Sequence, residues 1–194
     1  MPIPTCPTDC SSALPVVDFS KCAPQIHLSE IRRIFIARAN AAPFEDWEEA
    51  TEWTTRISET EVTDEDAIRP LTVIADKPAP TGVNQEISNG RTFVVGKDHV
   101  INYTIDDISD ENYEFMRTIE CSGQYRIWYE TEGGYIYGGN SGILVSATGD
   151  DILNRGRDEI ETIAGTFTWR SKFHPDRVLS PIFDSDYSDV VVED

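Results

Sequence analysis

The residues with the means to do chemistry fall into a few groups along the chain. Gly139-Asn140-Ser141-Gly142 sets a hydroxyl among glycines, whose unhindered backbone amides can form an oxyanion hole beside a nucleophile. Such a serine needs a histidine, and neither His27 nor His99 has the small-residue context that usually precedes a catalytic one. A tight glycine turn between strands explains the tetrapeptide better. Cys6, Cys10, Cys22 and His27 have spacings that a tetrahedral zinc site could tolerate, although they fit no named finger; the alternative is free thiols in a proline-rich arm. Asp184, Asp186 and Asp189 resemble part of a calcium loop but lack its glycine and distal glutamate, which favours a solvated acidic segment. The pairs Asp106-Asp107 and Asp150-Asp151 sit in expected turns, where adjacent side chains point apart and cooperate poorly as acid and base. No cofactor motif is present: the glycines are followed by no Gly-Lys-Ser or Gly-Lys-Thr, so no phosphate cradle is expected. The reading is that the chain is not an enzyme, with a chymotrypsin-like serine hydrolase as the remote alternative.

Charge narrows the partners. Sixteen Lys and Arg face 35 Asp and Glu, a formal net charge of −19, which argues against a surface that grips nucleic-acid phosphates. A negative wall would instead let DNA slide past. The 194 residues, 39% of them hydrophobic, suffice for one sizeable domain with a core. No apolar run approaches the roughly 20 residues that span a bilayer, and MPIPTCPTDCSS lacks the basic and apolar regions of a secretory signal. The expectation is synthesis in a cytoplasm and no membrane partner.

The elements that must position these residues are β-rich. Residues 1–27 read as an extended arm containing proline and cysteine, 28–183 as a single domain, and 184–194 as an acidic C-terminal tail. Ser29 to Arg38 is the first strand, with Arg32, Arg33 and Arg38 reaching out of it either toward acids of a neighbouring subunit or toward acids of their own chain. Asp46 to Ile57 is a short amphipathic helix whose apolar face is Trp47, Ala50, Thr54 and Ile57; Trp53 falls off that face and is a second core contact or an anchor for a partner. Leu71 to Ala75 is a strand. Asp76 to Gly90 reads as a long loop punctuated by Pro78, Pro80, Gly82 and the Asn89-Gly90 pair, and loops of that length are usually functional. Phe93 to Val95 and Ile101 to Ile105 read as a hairpin turning at Gly96-Lys97-Asp98. Ser109 caps a helix carrying Phe115, Met116 and Ile119, which Ser122-Gly123 stops. Tyr125 to Tyr129 and short runs at Tyr135 to Tyr137 and Ile143 to Ala147 follow as strands. Glu159 to Phe173 is the longest alternating run, with Ile163, Phe167, Trp169 and Phe173 on one face, and should cross the middle of a sheet.

The hairpin TFVVGKDHVINYTIDDIS running into DENYEFMRTIE, then QYRIWYE, and the late strand ETIAGTFTWRSKF with the closing SPIF together resemble the tail tube proteins of tailed bacteriophages. The resemblance covers roughly Leu28 to Phe183 and rests on arrangement and texture. It implies an α+β, β-rich fold: a sandwich or barrel with one or two short flanking helices and extended terminal arms. It also implies a virion protein whose copies form rings, typically six-membered, that stack into a hollow tube, contact neighbouring tail or connector proteins, and pass DNA only in transit. The interface would then draw on Arg32, Arg33, Arg38, Asp76, Lys77, Pro78, Pro80, Gly82, Asn84 and Arg170. A capsid decoration or head-tail adaptor protein is the competing expectation.

Overall fold

The computed structural model describes residues 29–58, 65–153 and 160–182. The cysteine-bearing arm with its candidate metal ligands Cys6, Cys10, Cys22 and His27 lies outside the described residues, as does the acidic tail 184–194. The described chain forms nine strands and two α-helices: β1 Ile31–Arg38, α1 Ala50–Ser58, β2 Arg69–Asp76, β3 Thr81–Ile87, β4 Arg91–Ile105, α2 Asp110–Ser122, β5 Gln124–Thr131, β6 Tyr135–Tyr137, β7 Ile143–Ile152, β8 Thr162–Ser171 and β9 Arg177–Leu179. All pairings are antiparallel, and the order β1-β2-β4-β8-β7-β5 returns to β1 through the β1–β5 ladder. Six strands thereby close a barrel, which removes open edges over the length where these six pair with one another. β6 continues from β5 and carries β9, while among the described residues β3 pairs only with β4.

Alternation along the strands fills the barrel. Ile34 and Ile36 of β1, Ile101, Tyr103 and Ile105 of β4, Ile127 of β5, Val145 of β7 and Ile163, Phe167 and Trp169 of β8 belong to one buried cluster. β8 does lie inside the sheet, between β4 and β7. Tyr103 stacks on Phe167 at 4.7 Å between centroids and donates to the Thr148 carbonyl at 3.0 Å. The neighbouring positions are Gly149 and Gly165, where an added Cβ would fall 2.8 and 2.6 Å from the Tyr103 hydroxyl, so two missing side chains make room for one large ring.

α2 closes one end of the barrel. The Ser109 hydroxyl accepts from the Asn112 amide at 3.2 Å, and Gly123, at φ 66°, ends the helix. Met116 and Ile119 drop into the barrel core, and the Tyr125 hydroxyl ties the strand that follows to the Thr118 carbonyl at 2.8 Å. This helix and its caps agree with the sequence expectation.

A second core covers the outside of β1 and β5. Phe35 and Ala37 alternate with Ile34 and Ile36, and Trp128 alternates with Ile127, so both strands are buried on both faces and read as nearly unbroken apolar runs. Trp53 of α1 fills this core, 5.2 Å from the Phe35 ring and 4.4 Å from the Phe44 ring, with its indole NH donating to the Trp47 carbonyl at 2.8 Å. Trp47, Ala50 and Ile57 of the expected face meet this core and Trp53 is the second core contact, but the helix starts later than expected and also turns an arginine inward. Trp53 and Arg56 point inward, and Trp47 precedes the helix, buried in its own right. Arg56 goes in because its guanidinium finds partners there: it donates to the carbonyls of Ala42 and Pro43 at 2.6 and 3.0 Å and to Glu52 at 2.7 Å, and lies over the Phe44 ring.

Two further expectations change. Gly96-Lys97-Asp98 is no turn; β4 runs straight through it, because Lys97 and Asp98 already pair with Ser171 and Arg170 of β8. The expected loop from Asp76 to Gly90 is mostly strand. Only residues 77–80 connect β2 to β3, after which Thr81–Ile87 pairs with β4 up to a turn at Ser88–Gly90. Asn89 and Gly90 take φ 66° and 68° at that turn, the left-handed conformation for which an Asn-Gly pair is suited.

Candidate functional site

Beyond the rim of the barrel the chain builds a two-stranded arm. β8 begins to pair with β4 only at Lys97, so Arg91 to Gly96 of β4 has β3 on one side and, among the described residues, no strand on the other. β3 likewise offers its outer edge unpaired among the described residues. The arm contributes nothing to either core. Its side chains are exposed on both faces, including Ile87, Phe93, Val94 and Val95 at 44%, 56%, 49% and 42%. A two-stranded hairpin is marginal in water by itself, and apolar β residues with free edges are an invitation to pairing. At its base Gly96 packs under the Arg170 stem, and Arg170 in turn forms a forked pair with Asp98 at 2.6 and 3.1 Å. Arg170 holds the Asp98 carboxyl below the usual carboxylate range, chiefly through that hydrogen bond.

The expected interface residues do not come together as one patch. Pro78 and Pro80 stiffen the connection into the arm, and Gly82 and Asn84 lie on β3 opposite Lys97 and Val94. Asp76 accepts from the Asn102 amide at 3.1 Å. Lys77 is half-buried over the Trp169 ring. Arg32 lies 3.9 Å from Glu132, and Arg38 is exposed at the end of β1. Arg33 departs most from the expectation of an outward arginine. It is 2% exposed, and its Nε donates to Glu130 at 2.7 Å, with Glu130 itself fully buried. The two residues are direct partners across the β1–β5 ladder, which explains how the second core accepts both charges.

The Gly139-Asn140-Ser141-Gly142 loop has a packing explanation. It wraps the Trp128 indole, whose NH donates to the Gly139 carbonyl at 2.8 Å. A Cβ on Gly138 or Gly142 would fall 2.3 or 2.7 Å from the ring. The Ser141 carbonyl accepts from Arg126 at 2.6 Å.

A histidine that sequence reasoning weighed only as a catalytic partner lies at the rim. His99 is 2% exposed and stacks on Trp169 with centroids 4.9 Å apart and planes 7° from parallel. Burial lowers its pKa first, and the positive charges of Lys77 and His174 push it the same way. The ring is therefore a neutral stacking partner at neutral pH. Its place on the inward side of β4, in alternation with Ile101 and Tyr103, is the signal that could have revealed this role.

No protein-family model and no curated protein matches the chain.

Proposed function

We propose that the chain is a structural subunit that assembles with copies of itself, in the manner of the tail tube proteins that its sequence resembles. The observation that carries this reading is the arm of β3 and the first half of β4. It is an apolar ribbon with two free edges that its own domain leaves uncovered. A closed barrel supplies a rigid body, and the arm supplies a reach of some six residues beyond its rim, roughly 20 Å at strand rise. Laid on a neighbouring copy, the ribbon would gain backbone partners and bury Phe93, Val94 and Val95. Repetition of one such heterologous contact closes a ring or extends a stack. Six-membered rings, a hollow tube, a place in a virion tail beside connector proteins, and DNA in transit past an acidic wall follow from the resemblance and the net charge of −19.

The test is electron microscopy of the purified protein across a concentration series, beside a variant in which residues 81–95 are replaced by a short Gly-Ser turn. The expected result is rings or tubes from the intact chain, and a folded, soluble monomer from the variant. Normal assemblies from the shortened chain would remove the arm from the interface. An intact chain that stays monomeric throughout yet coats added capsids would replace self-assembly with decoration of a preformed lattice.

A further inference from the structure

At the barrel end opposite α2, a cleft of about 530 Å³ opens between the starts of β1 and β6, the end of β5 and the segment leading into β9. Its lining includes Tyr129, Tyr135 and Tyr137, with Lys77, His174 and Arg177 among them. We propose that this cleft binds a small organic anion: a carboxylate or phosphate monoester carried on a flat, apolar body.

Charge is the first support. The chain has 35 acids against sixteen Lys and Arg, yet no Asp or Glu lines the cleft while a lysine, an arginine and a histidine do. Four arginines elsewhere face acids of their own chain, Arg32, Arg33, Arg56 and Arg170 opposite Glu132, Glu130, Glu52 and Asp98, and Arg126 is held by the Ala39 and Ser141 carbonyls. Among the described residues Lys77, His174 and Arg177 have no such carboxylate. Lys77 is half-buried with its ammonium 5.9 Å over the Trp169 ring, and desolvation lowers its pKa, which an anion alongside would reverse. Arg177 is steered by tyrosines in place of an acid. It donates to the Tyr137 hydroxyl at 3.4 Å and lies 4.8 Å over the Tyr135 ring, leaving further N–H groups of its planar fork for an incoming anion.

The tyrosines are the second support. Tyr129 and Tyr137 stack 4.8 Å apart with planes 7° from parallel, a rigid wall that presents a flat surface to whatever enters. Tyr129 is buried and belongs to the barrel core, so the wall is anchored. A concave surface that joins apolar and aromatic side chains, here Ile31, Pro175 and three tyrosines, with a few convergent charges in a space of several hundred Å³ is the usual form of a small-molecule site. Nothing in this reading depends on self-assembly, and a monomer can be tested.

The experiment is titration of the full chain, followed by amide NMR shifts, with phenyl phosphate, benzoate, inorganic phosphate and phenol as probes. The expected result is saturable binding of phenyl phosphate or benzoate, at least about tenfold tighter than phosphate or phenol alone. A preference for benzoate assigns a carboxylate and a preference for phenyl phosphate a phosphate; either supports the site. Arg177→Gln and Lys77→Met should each weaken binding about tenfold, with shifts confined in the intact chain to residues around the cleft. His174→Gln, an exposed change, serves as a further variant should either of the others unfold. Equal binding of phosphate and phenyl phosphate, insensitivity to all three substitutions, or no saturation would overturn the proposal.

Discussion

Glu130 is the residue with the most at stake, since its carboxylate is fully buried and Arg33 holds only one of its oxygens. Removing the arginine should strand that charge. Arg33→Met is expected to cost about 3–5 kcal/mol, whereas Arg33→Met with Glu130→Leu should recover most of it or exceed the parent. Urea midpoints of the two variants decide the point; equal loss in both would mean the pair is not the source. Phe167, fully buried between β4 and β7, should cost roughly 3–5 kcal/mol on truncation to alanine. An unchanged midpoint there would contradict its inward face. His99 adds a pH dependence of definite sign. Its folded pKa lies below the ordinary histidine value of 6.5, so the unfolded chain binds the proton more readily. The stability that neutral His99 contributes is complete above about pH 6.5 and is lost as pH falls from there toward the folded pKa. His99→Phe, which keeps the stack on Trp169, should flatten that part of the stability profile in thermal melts at pH 7.5 and 5.5.

At the level of elements, the glycine-rich loop and the arm make opposite demands. The loop after β6 is rigid because it encloses Trp128. Gly142 has φ 64° and a ring atom where its Cβ would stand. Gly142→Ala therefore combines a left-handed alanine with an overpacked indole and should cost about 2–4 kcal/mol, read as a lower melting temperature and a perturbed tryptophan spectrum. A wild-type melt would mean the loop shifts freely, and the structural account of the glycines would fail. The arm is expected to be the least stable element of the monomer, because its hydrogen bonds are open to water and it buries little apolar surface. Amide exchange should be fast over residues 81–95 in dilute protein and slow over β8; strong protection of the arm in a monomer would show that its own domain covers it.

On the scale of the molecule, net charge opposes assembly. Each added copy would bring a further −19, so the contacts proposed between copies would have to form against self-repulsion. Raising salt shortens the Debye length from about 10 Å at 0.1 M to about 3 Å at 1 M, and the assembled fraction should rise accordingly. Lowering pH toward 5 also weakens the repulsion, yet the loss of His99-linked stability acts against it in the same range. Salt is thus the cleaner variable, and sedimentation at constant pH is the measurement. Assembly that falls with salt would mean that ion pairs across the interface, not apolar burial, hold the copies together.

Local patterns in the chain were enough to determine β1, β2, β5, β6, β7 and β8, the second helix with both its caps, and the inward face of β8, because each rests on apolar β runs, a repeat of two or caps within a few residues. The β-rich α+β class followed from them. What the order of residues could not decide is anything that depends on partners distant in the chain. Lys97 and Asp98 read as a turn until β8 supplies partners for them, and Thr81 to Ile87 reads as loop until β4 pairs with it. Arg33 reads as a surface charge because its carboxylate lies 97 positions away. Trp53 falls off the apolar face of its own helix because Phe35, Phe44 and Trp128, brought together only by barrel closure, outweigh the helix's own periodicity. The cleft with its unmatched cations is of the same kind. Its lining comes from residues 29 to 177, and no local spacing could have gathered them.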